Sequence, residues 1–277
     1  MNQSTQTKLV QISIGLLGSV GLGWLVWRAG NDSGPLSSLI PVSIAPELAS
    51  TVEMTAQRKA AHIGARPIIE QAFKEVMGRP ATPYEAQYAQ AVGFAESSYG
   101  KGWQDPMKAC FNWGAVQCPA NNQTGPGCVP YGDSHSSGEK YAVSFRCYGS
   151  DLEGAKDLIK HVFKHRPATA TIIAAKDGTT FRASYAMRRE AYYGGFCPKA
   201  TAAYGAAAAK ASFGHPDRDA GTRACMAEAV GLHAKRVHGL MREIAFATGD
   251  KYVFPLGTFD DADKWYLKNN PNPLRGK

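Results

Sequence analysis

Glu96 is the residue of this sequence best suited by type and position to proton-transfer chemistry. It falls in the last turn of a helix expected to begin after Thr82, and a helix C-terminus carries partial negative charge that disfavours an ionised carboxylate. Phe94 is an apolar neighbour that would desolvate it further. Both effects push a carboxyl pKa upward. An acid still protonated near neutral pH can give its proton to a leaving oxygen. Taken on helix position alone, though, Glu96 reads as an ordinary surface glutamate.

Other chemistry-bearing groups fit their motifs less well. His161 and His165 have the four-residue spacing of metal ligands, but Val162 stands where a zinc protease carries glutamate. The pair therefore reads as a basic helix face. His233 and His238 are five apart and diverge around a helix. The run His215-Pro216-Asp217-Arg218-Asp219 offers two carboxylates without the calcium-loop pattern, and reads as a turn. No Gly-x-Ser-x-Gly elbow and no Gly-rich phosphate loop occurs. Neither a metal nor an organic cofactor is expected.

The helix that carries Glu96 has a clear start. Thr82 is a good N-cap, Pro83 suits the first helical position and Glu85 completes a capping box. Tyr88, Val92 and Ala95 then line one stripe, and Gly100 supplies a stop. Helical spacing also runs through 66–77, 151–165, 168–176, 180–189, 199–212 and 222–248. Residues 103–150 differ. They are rich in Gly, Asn, Pro, Ser and Cys, with one strand-like stretch at 140–148, and predict a small β-rich lobe. The fold class expected is α+β and mainly helical.

Three segments around Glu96 carry a family resemblance. They are Glu96-Ser97-Ser98-Tyr99-Gly100, Asn112-Trp113-Gly114-Ala115-Val116, and Phe145-Arg146-Cys147-Tyr148-Gly149-Ser150. In this order they resemble the glucosaminidase and lytic-transglycosylase branches of the lysozyme superfamily, with Tyr192-Tyr193-Gly194-Gly195 as a fourth element. The likeness covers about residues 66–200. It implies a lysozyme-like domain that cleaves peptidoglycan glycan strands, as an N-acetylglucosaminidase, muramidase or lytic transglycosylase. Glu96 would be the general acid. Tyr193, next to the glycines, is preferred over Tyr192 for stabilising an oxocarbenium-like transition state. Asp133 is preferred as second carboxylate, with His135 beside it and Glu139 as the alternative. Ser97, Asn112, Trp113, Tyr148 and Tyr192 are expected along the cleft. Two other readings stay open. One is an inactive wall-binding or structural component of a secretion machine or phage particle; the other is a chitinase-like glycosidase.

Composition fits a wall-directed protein. Of 277 residues, 44% are hydrophobic and 10% aromatic, which is too apolar for wholesale disorder. The formal net charge of +8 favours an anionic partner. The basic residues are scattered, so nucleic acid is not expected. The six cysteines form no Cys-x-x-Cys pair, which argues against a zinc ribbon or redox motif. Their even number suits disulfides in an oxidising compartment. Cys118 and Cys128 bracket a polar Gly/Pro run and predict a local clasp; the full pairing stays open.

Residues 9–27 contain no charge and are almost long enough, at about 1.5 Å per residue, to cross a bilayer core. They predict a membrane anchor after a short tail, 1–8, with a cleaved signal peptide as the rival. A linker at 28–60, a catalytic domain at 61–248 and a loosely packed or frayed tail at 249–277 complete the expected order. The body would lie in the periplasm or another extracytoplasmic space.

Overall fold

The computed structural model describes residues 54–134, 140–175, 177–193, 197–207, 219–251 and 253–269. All of them belong to one compact unit, Glu53–Lys277. The expected anchor at 9–27 lies outside the described residues, as do His135, Glu139, Gly194, Gly195 and the 215–218 part of the expected turn. Among the described residues no helix is long and apolar enough to cross a membrane.

The architecture is α+β and mainly helical. Helix α1 (Ala56–Met77) begins earlier than its apolar spacing suggests, capped by the Thr55 side chain, and it continues through Pro67. Helix α2 (Pro83–Ser97) has the expected start. The Thr82 hydroxyl accepts from Glu85 N–H and the Glu85 carboxylate accepts from Thr82 N–H. Arg79 clamps the same carboxylate through two nitrogens, at 2.7 and 3.0 Å.

Instead of a single apolar stripe, α2 buries almost its whole circumference from Glu85 to Gly93. Its alanines let neighbours approach closely, and its buried amides are used. Gln87 Nε2 donates to Asp250 Oδ2 at 2.9 Å and Gln90 Nε2 donates to the His62 carbonyl at 2.8 Å. Buried polar groups persist where they find such partners.

The β-rich lobe follows as two short antiparallel ribbons. Strand β1 (Cys128–Pro130) pairs with β4 (Ser144–Arg146), and β2 (Asp133–Ser134) pairs with β3 (Lys140–Tyr141). The register sets Val129 opposite Phe145 and Asp133 opposite Tyr141. The lobe has its own small core, Met107, Cys110 and Phe145. Two disulfides staple it: Cys118–Cys128, the expected clasp, and Cys110–Cys147. A third, Cys197–Cys225, ties two later helices together.

Ser150 caps α3 (Asp151–Ile159), which passes into a π-helical turn, Lys160–Lys164. Gly154 is required at the lobe junction, because a Cβ there would sit 1.6 Å from the Phe111 carbonyl oxygen. Next come α4 (Pro167–Ala174), α5 (Thr180–Arg189), α6 (Pro198–Tyr204) and α7 (Ala220–Thr248). Helix α7 packs against α1, α2, α5 and α6. The main core joins Ile69, Phe73, Tyr88, Val92, Leu158 and Met241, among others.

The tail departs from expectation. Helix α8 (Phe259–Asn269) docks on α5 instead of fraying. Its entry strand gives the Pro255 and Leu256 carbonyls to Thr180 and Phe181 N–H, at 2.7 and 2.9 Å. Arg182 grips Asp261 through two nitrogens at 2.9 Å, and Tyr185 donates to Asp263 at 2.8 Å. Phe254 is buried, so the compact body reaches well past residue 248.

Candidate functional site

Glu96 is half-buried in the last turn of α2. The chain then makes an unusual exit. Ser98, Tyr99 and Gly100 are consecutive left-handed residues, with φ of 51°, 61° and 76°. Such conformations cost non-glycine residues of order 1–3 kcal/mol each and persist only where surrounding contacts enforce them. Here the contacts are plentiful. Ser97 Oγ donates to the Trp113 carbonyl at 2.9 Å and accepts from Gly100 N–H at 2.8 Å. The buried Tyr99 hydroxyl lies 2.7 Å from His62 Nδ1, and His62 Nε2 lies 2.9 Å from the Glu243 carboxylate. The carboxylate accepts only, so Nε2 is the nitrogen that donates to it. Arg236, on α7, donates to the Ala95 carbonyl beside Glu96.

Facing this corner is Tyr192, in the loop after α5. Ala191 just before it is also left-handed, with φ 55°. The Tyr192 hydroxyl is buried and has no hydrogen-bond partner among the described residues. Burial pushes its pKa well up, and the negative charge of Glu96 pushes it further. The phenol therefore stays protonated and is a hydrogen-bond donor without an acceptor among the described residues. The Arg166 guanidinium stacks on its ring, 4.7 Å from the centroid.

Beyond Arg166 the polar network continues. Asp157, buried in α3, accepts from the Tyr148 hydroxyl and pairs with Arg146 at 3.4 Å and His161 at 3.5 Å. Burial raises the Tyr148 pKa and the Asp157 charge adds to it. Burial lowers that of His161, with Asp157 opposing. His161 and His165 lie edge to face, 5.7 Å apart. No metal-binding group of three His, Cys, Asp or Glu side chains occurs among the described residues.

The remaining expected residues divide clearly. Asn112 and Trp113 are buried beneath the corner. Asn112 Nδ2 donates to the Val116 and Arg146 carbonyls, and its Oδ1 accepts from Val116 N–H at 2.8 Å. Trp113 Nε1 donates to Asp151 Oδ1 at 2.9 Å. With Ser97, they brace the joint between α2, the lobe and α3 instead of presenting polar atoms to a ligand. Tyr148 is likewise held by Asp157. Asp133 has its backbone in β2.

Tyr193, the tyrosine preferred from the sequence, is committed elsewhere. Its hydroxyl donates to the Ser184 carbonyl at 2.9 Å and its ring stacks flat on His233 at 4.2 Å. Of the two tyrosines, Tyr192 is the one whose hydroxyl has no partner among the described residues. The chain matches no protein-family model, no curated protein and no solved structure. Its own geometry thus carries the functional argument. Two residues of the network, Arg166 and Asp157, had no motif to mark them. A lone arginine before proline reads as a helix start, and an aspartate at a helix's polar edge reads as solvated.

Proposed function

We propose that this protein cleaves the glycan strands of bacterial peptidoglycan on a lysozyme-like domain, with Glu96 as general acid. The observation that carries the reading is the Glu96–Tyr192 pairing. A half-buried carboxyl at a helix C-terminus lies within the electrostatic reach of a buried phenol that has no acceptor among the described residues. Most buried polar groups find a partner, and the strained turns at Ser98–Tyr99 and Ala191 flank this pair.

In this reading the Glu96 carboxyl gives its proton to the glycosidic oxygen as the C1–O bond breaks. Positive charge develops at C1 and the ring oxygen, and the sugar flattens towards an oxocarbenium ion. The Tyr192 hydroxyl donates a hydrogen bond that positions the reacting sugar. The Glu96 carboxylate then takes a proton either from water attacking C1, giving a reducing end, or from the sugar's own 6-hydroxyl, giving an anhydro end. The elements that resemble the glucosaminidase and transglycosylase branches supply the substrate class. The +8 charge suits an anionic wall, and three disulfides suit an extracytoplasmic body held to the membrane by residues 9–27.

The test is mass spectrometry of purified peptidoglycan after digestion. Soluble fragments with a new anhydro-muramic, reducing N-acetylglucosamine or reducing N-acetylmuramic end support the reading and identify the bond. Wall binding with no fragment at any pH favours an inactive wall-binding component instead. Faster cleavage of chitin oligomers than of wall favours a chitinase-like enzyme.

A further inference from the structure

Arg166 is fixed by a local irregularity of the chain. In a regular α-helix the His165 N–H would bond to the His161 carbonyl. In the π-helical turn it bonds one residue further back, to the Lys160 carbonyl at 2.8 Å. The His161 carbonyl is thereby released, and Arg166 Nη1 donates to it. Single π-turns of this kind re-aim groups inside helices and recur at functional positions. Pro167 immediately follows, which holds Arg166 out of the helical region, at φ −133° and ψ 74°.

From that anchor the guanidinium reaches both sides of Tyr192. Nη2 lies 3.4 Å from the carbonyl of Ala191, the strained residue just before it, and the guanidinium plane covers the phenol ring. Arg166 Nε is buried and unpaired among the described residues, as is the Tyr192 hydroxyl. A fixed cation over the ring draws electron density from the phenol and makes its O–H a stronger donor. Lysine cannot reproduce this arrangement, because it has neither the planar fork nor the stacking face.

We propose that Arg166 is a positioning residue that aims the Tyr192 hydroxyl into the Glu96 corner, with the π-turn carbonyl of His161 as its anchor. Arg166 touches no reacting atom; it acts through Tyr192. This rests on the glycan-cleaving reading above and deepens it. The network beyond it, Asp157 with Arg146 and Tyr148, steadies the same turn through His161.

The experiment pairs a kinetic cycle with a structural readout on the full chain. Purified peptidoglycan sacculi are the substrate, and tyrosine labelled at the ring Cζ carbon reports the Tyr192 environment by NMR. Arg166→Ala and Arg166→Lys are expected to lower the maximal rate by about 10–100-fold, the loss typical of a misplaced catalytic partner. The half-saturating sacculus concentration should stay within about twofold and the Tyr192 resonance should shift. In a Tyr192→Phe background, Arg166→Ala should cost no more than about twofold, because neighbours acting through one group are not additive. Additive losses, rescue by lysine, or an unmoved resonance in both variants would overturn the proposal. A wild-type protein that releases no product sinks the glycan-cleaving reading itself, and the resonance then decides the positioning claim alone.

Discussion

Tyr192 and Tyr193 are neighbours in the chain with opposite surroundings. Tyr193 is fully employed. Its hydroxyl bonds the Ser184 carbonyl, its carbonyl accepts from Arg188 at 3.0 Å, and its ring lies on His233, which in turn lies 2.9 Å from Ser184 Oγ. Tyr192 has a cation over its ring, a nearby carboxylate and a hydroxyl with no acceptor among the described residues. On one side of the loop the Tyr193 hydroxyl is paired, although His233 Nε2 beside it is not; on the other the Tyr192 hydroxyl is a donor without a partner among the described residues. The chain enters this pair of rings through the left-handed Ala191. Sites of chemistry are where folds accept unpaired groups and strained backbone.

The comparison can be broken most severely at Tyr192. Tyr192→Phe should lower wall cleavage by about 100-fold, the usual loss when one preorganised donor is removed, with little change in thermal stability. An unaffected rate would move the role away from this residue. The next effect belongs to the scaffold side of the molecule. Replacing both Cys110 and Cys147 by alanine should cost about 2–4 kcal/mol in denaturant unfolding. It removes the staple of the β-rich lobe, and a loss confined to activity would contradict that scaffold role.

His233 offers a pH test. Burial, with the Arg236 charge adding, pushes its pKa down from 6.5 to about 3. The folded state therefore keeps it neutral while the unfolded chain takes up a proton. Its contribution is complete above pH 6.5 and is lost as pH falls towards about 3, by at most about 1.4 kcal/mol per pH unit. His233→Phe keeps a ring against Tyr193 and should flatten stability against pH in that window; an unchanged slope would contradict the assignment. The smallest effect is expected at Tyr193→Phe, about 1 kcal/mol of stability from one lost hydrogen bond. The cleavage rate should stay within about twofold of the parent, and a rate loss equal to that of Tyr192→Phe would erase the contrast between the two residues.

Much of the frame was legible in the residues themselves. The Thr82-Pro83-Glu85 start of α2 is as expected, because capping is local chemistry. The helix at 180–189 and the Cys118–Cys128 clasp also agree. Long-range packing was not legible. The tail after residue 248 was expected to be loose, yet the Pro255 carbonyl completes the start of α5 and Asp261 and Asp263 hold α8 in place. In the candidate site, the neighbouring motifs marked Glu96, whereas the one cue between Tyr192 and Tyr193, the glycines that follow, favoured Tyr193. The backbone sign at Ala191 and a guanidinium set by a π-turn accompany their difference, and neither leaves a periodic signal in sequence.

The most direct measurement is release of soluble fragments from purified peptidoglycan by the parent protein and by Glu96→Gln. Glutamine keeps the shape of the side chain and cannot give up a proton. The expected result is a folded variant with the parent's melting temperature and a rate of fragment release reduced by at least about 100-fold. A folded Glu96→Gln protein that digests wall at the parent's rate would contradict it.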